Sequence, residues 1–451
     1  MNLSNSILRT ITQGTSRSDV VKKNIIGSFF LKGVSILVSL LLVPATIGYV
    51  NAELYGVWLT LASIMSWLGF ADIGFTHGLK NKLTEAIAMG DWEQGRSLVS
   101  TTYFMMVLIF VPACFILDLL VSFVDWTGLL NVSPIYEEDI TKVMYIVVGL
   151  SCLQMVTNVL VSVIAAFQKV ALSNSFLVIG NILSLIIIYV LRATCPPSLI
   201  SLALTLALMP ILVTIIASLL LYRKRFKRVA PRWKSVNMKC IKDLWGLGYK
   251  FFIVNIQVLV LYQSTNILIA NVSSPLEVTH YNIAYKLLNC AMMLYTIITA
   301  PLWPAYTDAY TRGDYDWMKR MRKKMGKILL ISMGGCVLLS VLSQPIYNIW
   351  IGDTVSIPST MTALVALYVI GACWMNWNGT LIAGMGKILA ATYMSLIGMI
   401  VHVPLSIYLS RYIGGYGVLL SLIFVNLLYA VFMHVQVLKL LNKKAIGFWN
   451  K

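Results

Sequence analysis

Two lysines lie inside long apolar stretches of this sequence, where a charged side chain is rare. Lys32 is about eight residues into the stretch 24–49, and Lys286 is about six residues into the stretch 281–303. A charge within a bilayer is costly and usually faces a cavity or a partner. Both lysines are therefore candidate functional residues, each with a compact charge and three donors. The alternative is that their long stems carry the charge to the membrane surface.

Neutral polar side chains accompany these lysines. Asn255 and Asn266 are eleven residues apart, so they share one face of a helix. Such a stripe lines a water-filled cavity or bonds neighbouring helices, and the sequence leaves both readings open. Asn376 marks a later apolar stretch in the same way. These three asparagines are candidate substrate-binding residues beside the lysines.

A further set of residues is predicted to have structural or gating roles rather than to bind substrate. Asp72 ends the second apolar stretch, where it caps a turn or pairs with a nearby cation. Pro44 lies near the outer end of the first stretch, and Pro301 and Pro304 lie at the inner end of the eighth. Prolines kink or break membrane helices and are tolerated where neighbours satisfy the freed carbonyls. We therefore predict structural or gating roles for these four residues.

Membrane-spanning helices must position all of these side chains. The chain has 451 residues, of which 59% are hydrophobic and 12% charged, and its mean hydropathy is +0.81. A bilayer core about 30 Å thick needs about 20 apolar residues per helix, whereas barrel strands would alternate over about ten. We predict an all-α membrane protein with twelve spans at 24–49, 55–75, 98–121, 143–167, 170–191, 199–222, 251–271, 281–303, 327–350, 361–385, 388–409 and 417–438.

Basic residues predict the orientation of these spans. Of the 35 Lys and Arg residues, 30 fall in the connections on the same side as the N-terminus. Positive charge concentrates in cytoplasmic loops, so both termini are predicted to be cytoplasmic. The net charge of +18 is explained by this orientation and by contact with anionic lipid headgroups. It does not predict a nucleic-acid partner.

The chain contains a weak internal repeat. The segment 158–191 aligns without gaps on 376–409, and Gly90-Asp91 aligns on Gly313-Asp314. Asp91 and Asp314 are predicted to cap the helices that follow them. Parallel repeats of this kind are typical of transporters in which two bundles rock about a central site. The predicted organisation is an N-terminal segment 1–23, a six-helix bundle 24–222, a basic linker with an interfacial helix 223–250, a second bundle 251–438 and a tail 439–451.

The sequence lacks the motifs that several kinds of chemistry require. The seven cysteines are scattered singly, so we predict no metal site and no disulfide framework. No phosphate-binding GxxxxGK[ST] loop is present, and no loop exceeds about 30 residues. We expect no cofactor and no enzymatic activity.

The opening of the chain resembles a known family. The residues that carry the resemblance are Lys32–Ser39 (KGVSILVS), Pro44, Asn51–Gly56 (NAELYG) and Ala71–Gly74 (ADIG), with Asn282–Lys286 (NIAYK) further on. These resemble bacterial polysaccharide-biosynthesis membrane proteins, the O-antigen and capsule flippases of the multidrug/oligosaccharidyl-lipid/polysaccharide exporter superfamily. The resemblance covers nearly the whole chain and rests on the order and placement of loose motifs.

The resemblance implies a function and a setting. It implies that an undecaprenyl-pyrophosphate-linked oligosaccharide moves from the inner to the outer leaflet of the bacterial cytoplasmic membrane by alternating access. It also implies a cationic cavity between two bundles, which Lys32 and Lys286 would face. Lipid-linked anionic oligosaccharide and membrane lipids are the expected partners, together with a polysaccharide polymerase and chain-length machinery.

Two other functions remain open at this stage. An antiporter of the same superfamily would export cationic drugs or metabolites and would need membrane-embedded carboxylates. A membrane-bound glycan polymerase would need paired acid/base carboxylates. The chain has few deep carboxylates, and the acidic run Glu137–Asp139 is typical of a solvated face. Both alternatives are therefore disfavoured relative to a flippase.

Overall fold

The computed structural model describes residues 16–70, 74–167, 169–242, 244, 263–299 and 302–450. Within these ranges the chain is helical, with short 3-10 turns in several connections. The helices are α1 Ser16–Val50, α2 Ala52–Ser66, α3 Phe75–Met89, α4 Trp92–Val121, α5 Trp126–Leu130, α6 Glu137–Thr157, α7 Val159–Ala166, α8 Val170–Thr194, α9 Leu199–Arg223, α10 Ser264–Val272, α11 Pro275–Thr299, α12 Leu302–Thr311, α13 Tyr315–Val341, α14 Ser343–Trp350, α15 Ser359–Gly384, α16 Leu389–Ile413 and α17 Gly415–Leu441.

Nine candidate membrane spans are found among the described residues. They overlap the predicted spans one, three to six and nine to twelve. Large apolar side chains on these helices point outward, such as Phe115 (72% exposed) and Ile331 (74% exposed). Exposed apolar surface of this extent is what a helix presents to lipid. The chain is therefore a multi-pass membrane protein, while the full count of twelve spans and the side of each terminus stay predictions.

Two predicted spans differ from the observed helices. The second was predicted as one helix over 55–75, but α2 ends at Ser66 and a 3-10 turn follows over Trp67–Phe70. The Ser66 hydroxyl donates to the Ser63 carbonyl at 2.6 Å, which is the kind of local hydrogen bond that competes with a continuing helix. The resulting 15-residue helix is shorter than a bilayer crossing requires.

The ninth span was predicted over 327–350, but α13 begins at Tyr315 and ends at Val341. Its start is set by Asp314, whose side chain accepts from the Trp317 amide at 2.9 Å. Its end is explained by Pro345, which lacks an N–H and would clash with the Val341 carbonyl in a continuing helix. The short helix α14 begins instead at Ser343.

The chain forms two compact units. The first comprises Met1–Ala45, Leu68–Phe123 and Thr141–Phe252, and the second comprises Thr46–Trp67, Val124–Ile140 and Ile253–Lys451. In the first, α3, α4 and α7 enclose an apolar core that includes Leu79, Met106 and Leu160. In the second, α15 packs against α11, α13 and α17, and α11 also packs against α2. The predicted division into bundles 24–222 and 251–438 stays a prediction.

The repeated Gly-Asp pair has the same local structure at both sites. Gly90 and Gly313 have φ of 75° and 72°, a conformation that glycine adopts without a steric penalty. The next residue then caps a helix: the Asp91 side chain accepts from the Gln94 amide at 2.9 Å, as that of Asp314 does from Trp317. The predicted caps are therefore confirmed. A left-handed glycine followed by an aspartate cap ends one helix and starts the next.

A second repeated feature is the close approach of two helices. Gly180 of α8 and Gly398 of α16 are equivalent in the internal alignment. A Cβ at Gly180 would lie 2.5 Å from Cα of Pro210 in α9, and one at Gly398 would lie 2.7 Å from Cγ1 of Val425 in α17. Each glycine therefore lets its helix pack tightly against the next one, as small residues do at membrane helix interfaces.

Candidate functional site

Lys32 lines a cavity within the first unit. The cavity has a volume of about 720 Å³ and is bounded by α1, α3, α6, α7, α8 and α9 together with Gly69 of the 3-10 turn that follows α2. Its wall is mixed, with apolar side chains such as Phe176 and Leu177 between polar ones. The polar lining residues are Lys32, Ser35, Thr76, Gln154, Asn158, Ser162, Ser173, Asn174 and Thr214. A pocket with a few convergent polar groups is the usual form of a ligand site.

The charge in this cavity is positive. The side chain of Lys32 is exposed and has no ion-pair partner within the described ranges. No carboxylate is among the described residues that line the cavity. The other polar groups are hydroxyls and amides, which donate and accept hydrogen bonds. The arrangement therefore suits an anionic group that carries further hydroxyls.

Asn158 lies at an interruption of helical hydrogen bonding in the cavity wall. It separates α6 from α7, and the Val161 amide donates to its carbonyl at 3.0 Å in a tightened turn. Such short 3-10 stretches inside a helix often mark functional positions. In the sequence Asn158 is the first residue of the internal repeat, and it is not among the predicted site residues. Its match to Asn376 was the signal that could have identified it.

Lys286 and Asn266 are brought together in the second unit. Lys286 Nζ donates to the Tyr55 hydroxyl at 3.2 Å and lies 6.0 Å from the centre of that ring. One helical turn away, Asn282 Nδ2 donates to Asn266 Oδ1 at 2.9 Å, and Asn266 Nδ2 donates to Ser63 Oγ at 2.8 Å. Lys286 is half-buried and makes no ion pair with any described residue. The network joins α2, α10 and α11.

Asn376 lines a separate cavity of the second unit. This cavity has a volume of about 380 Å³ and includes Thr299, Thr380 and Tyr429. Thr299 Oγ1 donates to Asn376 Oδ1 at 3.4 Å. No charged residue is among the described lining residues of this cavity. It offers hydrogen bonds without a charge for an anion.

The remaining candidates fall into two groups. Asn255, Asp72 and Pro301 lie outside the described residues, so their predicted roles stay predictions. Helix α1 continues through Pro44 to Val50. Helix α11 ends at Thr299 and α12, which contains Pro304, begins at Leu302. The bend predicted at Pro301 and Pro304 stays a prediction. Within the described ranges, no group of side chains suited to a metal ion is found.

The helix arrangement is similar to that of solved transporter structures. A multidrug resistance MATE family transporter of the MOP superfamily, solved in an inward-facing conformation, superposes with a TM-score of 0.75, at 11% identity over 91% of this chain and 96% of that chain. Lipid II flippase MurJ in an inward closed conformation gives a TM-score of 0.69, at 14% identity over 91% of this chain and 86% of that chain. At these identities the likeness concerns the fold.

Sequence comparison defines the family. A family model described as polysaccharide biosynthesis protein matches residues 21–309, more than half of the chain. A Salmonella typhi protein described as "Putative O-antigen transporter" is 22% identical over 402 residues, which are 86% of this chain and 88% of that protein. The chain belongs to the polysaccharide biosynthesis protein family. The family resemblance predicted from the sequence is thereby confirmed.

Proposed function

We propose that this protein is a flippase that moves an undecaprenyl-pyrophosphate-linked oligosaccharide from the cytoplasmic to the outer leaflet of the bacterial inner membrane. The observation that carries the proposal is Lys32, a cation without a counter-charge among the described residues that line a polar cavity. The transporter fold and the family support it, as does the relative described as an O-antigen transporter.

The chemistry of the cavity suits the head of such a lipid. The pyrophosphate carries negative charge that Lys32 would balance. Its oxygens would accept hydrogen bonds from the three N–H groups of the ammonium. Sugar hydroxyls would exchange hydrogen bonds with Asn158, Ser162 and Asn174, which line the same cavity. Each residue would therefore contact a different part of one amphiphilic head group.

The size of the cavity limits what it holds at once. A volume of about 720 Å³ lies within the range of small-molecule pockets, which runs to about 1,000 Å³. It accommodates a pyrophosphate and the first sugars rather than a long glycan. The prenyl chain is as apolar as the lipid around the helices and would remain in the bilayer. Transport then requires recognition only of the pyrophosphate and the first sugars, where the prenyl chain meets the glycan.

The membrane potential favours the proposed direction. Each negative charge that moves out of a negative interior gains about 2.3 kcal/mol per 100 mV. The sequence contains no nucleotide-binding loop of the GxxxxGK[ST] type. We therefore propose that the potential, an ion gradient or onward consumption of the product drives net export.

The rival functions fit the described cavities less well. A cation antiporter of the same fold would need carboxylates in its binding site, whereas the described lining of the 720 Å³ cavity carries Lys32 and no acid. A glycan polymerase would need a pair of catalytic carboxylates, and the described lining residues supply none there. A multidrug antiporter remains the second candidate because the fold is shared with a multidrug resistance transporter.

The experiment is a leaflet-exchange assay with the full-length protein in vesicles. A fluorescent undecaprenyl-pyrophosphate-linked oligosaccharide is the substrate, and accessibility to an external quencher is the readout. Loss of one charge-assisted hydrogen bond costs about 1.5–3 kcal/mol, so we expect Lys32→Ala to lower the exchange rate about tenfold or more. Lys32→Asp should abolish exchange, and Lys32→Arg should retain more activity than Lys32→Ala.

Control experiments distinguish failure of the proposed function from failure of the proposed binding site. Lys234→Ala changes an exposed lysine of the basic linker and should leave the rate unchanged. Wild-type vesicles that exchange no faster than protein-free vesicles would refute the flippase. Normal exchange by both Lys32→Ala and Lys32→Asp would refute the site alone. Proton-driven uptake of a cationic dye, without lipid exchange, would favour the antiporter.

A further inference from the structure

A buried arginine lies on helix α13 of the second unit. Arg322 of α13 is 8% exposed. Its Nη2 atom donates to Asn378 Oδ1 of α15 at 3.2 Å and to His434 Nδ1 of α17, also at 3.2 Å. Its guanidinium lies 4.6 Å from the centre of the Trp377 ring. A single cation therefore connects three helices through neutral groups.

Among the residues that the structure describes, no carboxylate pairs with Arg322. Guanidinium only donates, so His434 must accept through Nδ1 and carry its proton on Nε2. Both hydrogen bonds use Nη2, and Arg322 forms no ion pair with any residue the structure describes. Three of its five N–H groups, on Nε and Nη1, are left for another acceptor. A buried charge without a counter-charge is expensive, so a bound anion would stabilise this part of the unit.

Arg322 lines a cavity that is open to such an anion. The cavity has a volume of about 330 Å³, and its wall also includes Lys319 and Lys323. Both lysines are exposed and lie on the same helix as Arg322. Leu438 and Leu441 of α17 form an apolar side of the same cavity. Three cations beside an apolar wall match the headgroup and upper chain of an anionic lipid.

Acidic residues lie next to this cavity, not in it. Asp314 and Asp316 line an adjoining cavity, which shares Lys319 with the first. The Asp314 carboxylate accepts from the Trp317 amide and caps α13. Asp316 is exposed and forms no ion pair with a described residue. The charge around Arg322 therefore stays positive.

The internal repeat aligns apolar residues of the first unit with this cluster of the second unit. The alignment of 158–191 on 376–409 pairs Trp377 with Val159 and Asn378 with Leu160. The spacing of the two Gly-Asp pairs, carried forward along the helix, pairs Arg322 with Val99. Those three residues are fully buried members of the apolar core of the first unit. Apolar side chains thus suffice at the equivalent place, and they avoid the cost of desolvating a charge. A bound ligand would explain why the second unit has polar residues at these three positions.

We propose that Arg322, Lys319 and Lys323 form a binding site for the phosphate headgroup of a membrane lipid. The site lies at the ends of α13, α15 and α17 that the distribution of Lys and Arg predicts to be cytoplasmic. Its ligand is a phosphate ester on an apolar chain, either an anionic phospholipid or a polyprenyl phosphate. The inference does not rest on the proposed transport function.

Lipid titration of the purified full-length protein in detergent tests this site, with bound lipid counted by native mass spectrometry. The probes are phosphatidylglycerol, undecaprenyl phosphate and, as the neutral lipid, phosphatidylcholine. We expect one saturable site that prefers a phosphate-bearing anionic lipid about tenfold, the equivalent of about one charge-assisted hydrogen bond. The anionic lipid that binds more tightly shows whether the ligand is a phospholipid or a polyprenyl phosphate.

Three variants decide the outcome. Arg322→Gln and the double variant Lys319→Gln/Lys323→Gln should each lose the preference, and the double variant changes only exposed residues, so it is expected to fold. Arg320→Gln removes an exposed charge from the same helix and should keep the preference. An equal loss in Arg320→Gln would indicate general attraction to a basic surface and overturn the proposal. So would a wild type without preference, or a preference that survives both site variants.

Discussion

Asn158 and Asn376 occupy equivalent positions 218 residues apart, and each lines a cavity within its own unit. The neighbouring lining positions correspond as well, because Ser162 aligns with Thr380. Only the first cavity also contains a lysine among its described lining residues. The repeat has therefore kept the position of the amide while the charge differs between the two halves.

Replacing the two asparagines should have unequal effects on transport. In the proposed site Asn158 works beside Lys32, so Asn158→Leu should lower the leaflet-exchange rate about fivefold to tenfold through loss of a hydrogen bond. Asn376→Leu should have a smaller effect, because its described cavity holds no charge. The comparison uses exchange rates normalised to folded protein. A larger loss in Asn376→Leu would place the principal contact in the second unit.

The contact between Lys286 and Tyr55 is expected to be energetically coupled. Tyr55→Phe removes the hydroxyl to which Lys286 Nζ donates. A double-mutant cycle with Lys286→Met should give a coupling of about 1 kcal/mol, in the range of interhelical hydrogen bonds in membranes. Unfolding in mixed micelles measures it, and Tyr412→Phe, at a residue that is 72% exposed, serves as the control.

The same variants test whether Lys286 also contacts substrate. If Lys286 binds the anionic head, Lys286→Met should reduce leaflet exchange more than Tyr55→Phe does, although both lose the same hydrogen bond. Equal reductions would assign Lys286 a structural role in the network with Asn282 and Asn266.

Alanine at the two repeated glycines should destabilise the protein to different extents. A methyl group at Gly180 would meet the backbone of Pro210, whereas one at Gly398 would meet a side-chain methyl of Val425, which can move. We expect Gly180→Ala to cost about 3 kcal/mol and Gly398→Ala about 1 kcal/mol. Thermal unfolding monitored by size-exclusion chromatography ranks the two.

Gly149 provides the matched control for these substitutions. It lies within α6, and nothing surrounds an added Cβ within 4 Å. Gly149→Ala should therefore leave stability unchanged or raise it by up to about 1 kcal/mol through helix propensity. Destabilisation by Gly149→Ala equal to that by Gly180→Ala would contradict the close-approach argument.

The predicted orientation can be checked with a native cysteine. Cys195 is exposed between α8 and α9, a connection that the distribution of basic residues predicts to face outward. A membrane-impermeant maleimide should label it in intact spheroplasts. Lys234→Cys, introduced into a background with Cys195→Ser, should be labelled only after the membrane is opened. The reverse pattern would invert the topology.

Local sequence was sufficient for the features that depend on one segment. Apolar length predicted twelve spans, and helices of the described residues overlap nine of them, because the cost of exposing a polar backbone to lipid depends on the segment itself. Asp91 and Asp314 were predictable as caps because a side chain three residues before an amide reaches it within one turn. The break before Pro345 follows the same kind of local rule, although the prediction of the ninth span overlooked it.

The direction in which each polar side chain points was decided by the tertiary structure. Lys32 could equally have pointed to lipid, and its place in a cavity depends on how α1 is rotated against α6, α8 and α9. Arg322 was hidden in a run of basic residues that looked like a cytoplasmic loop, yet it is buried among α13, α15 and α17. Helix rotation is set by contacts between distant residues, such as Gly180 with Pro210. A single sequence contains the residues of such contacts but not their pairing.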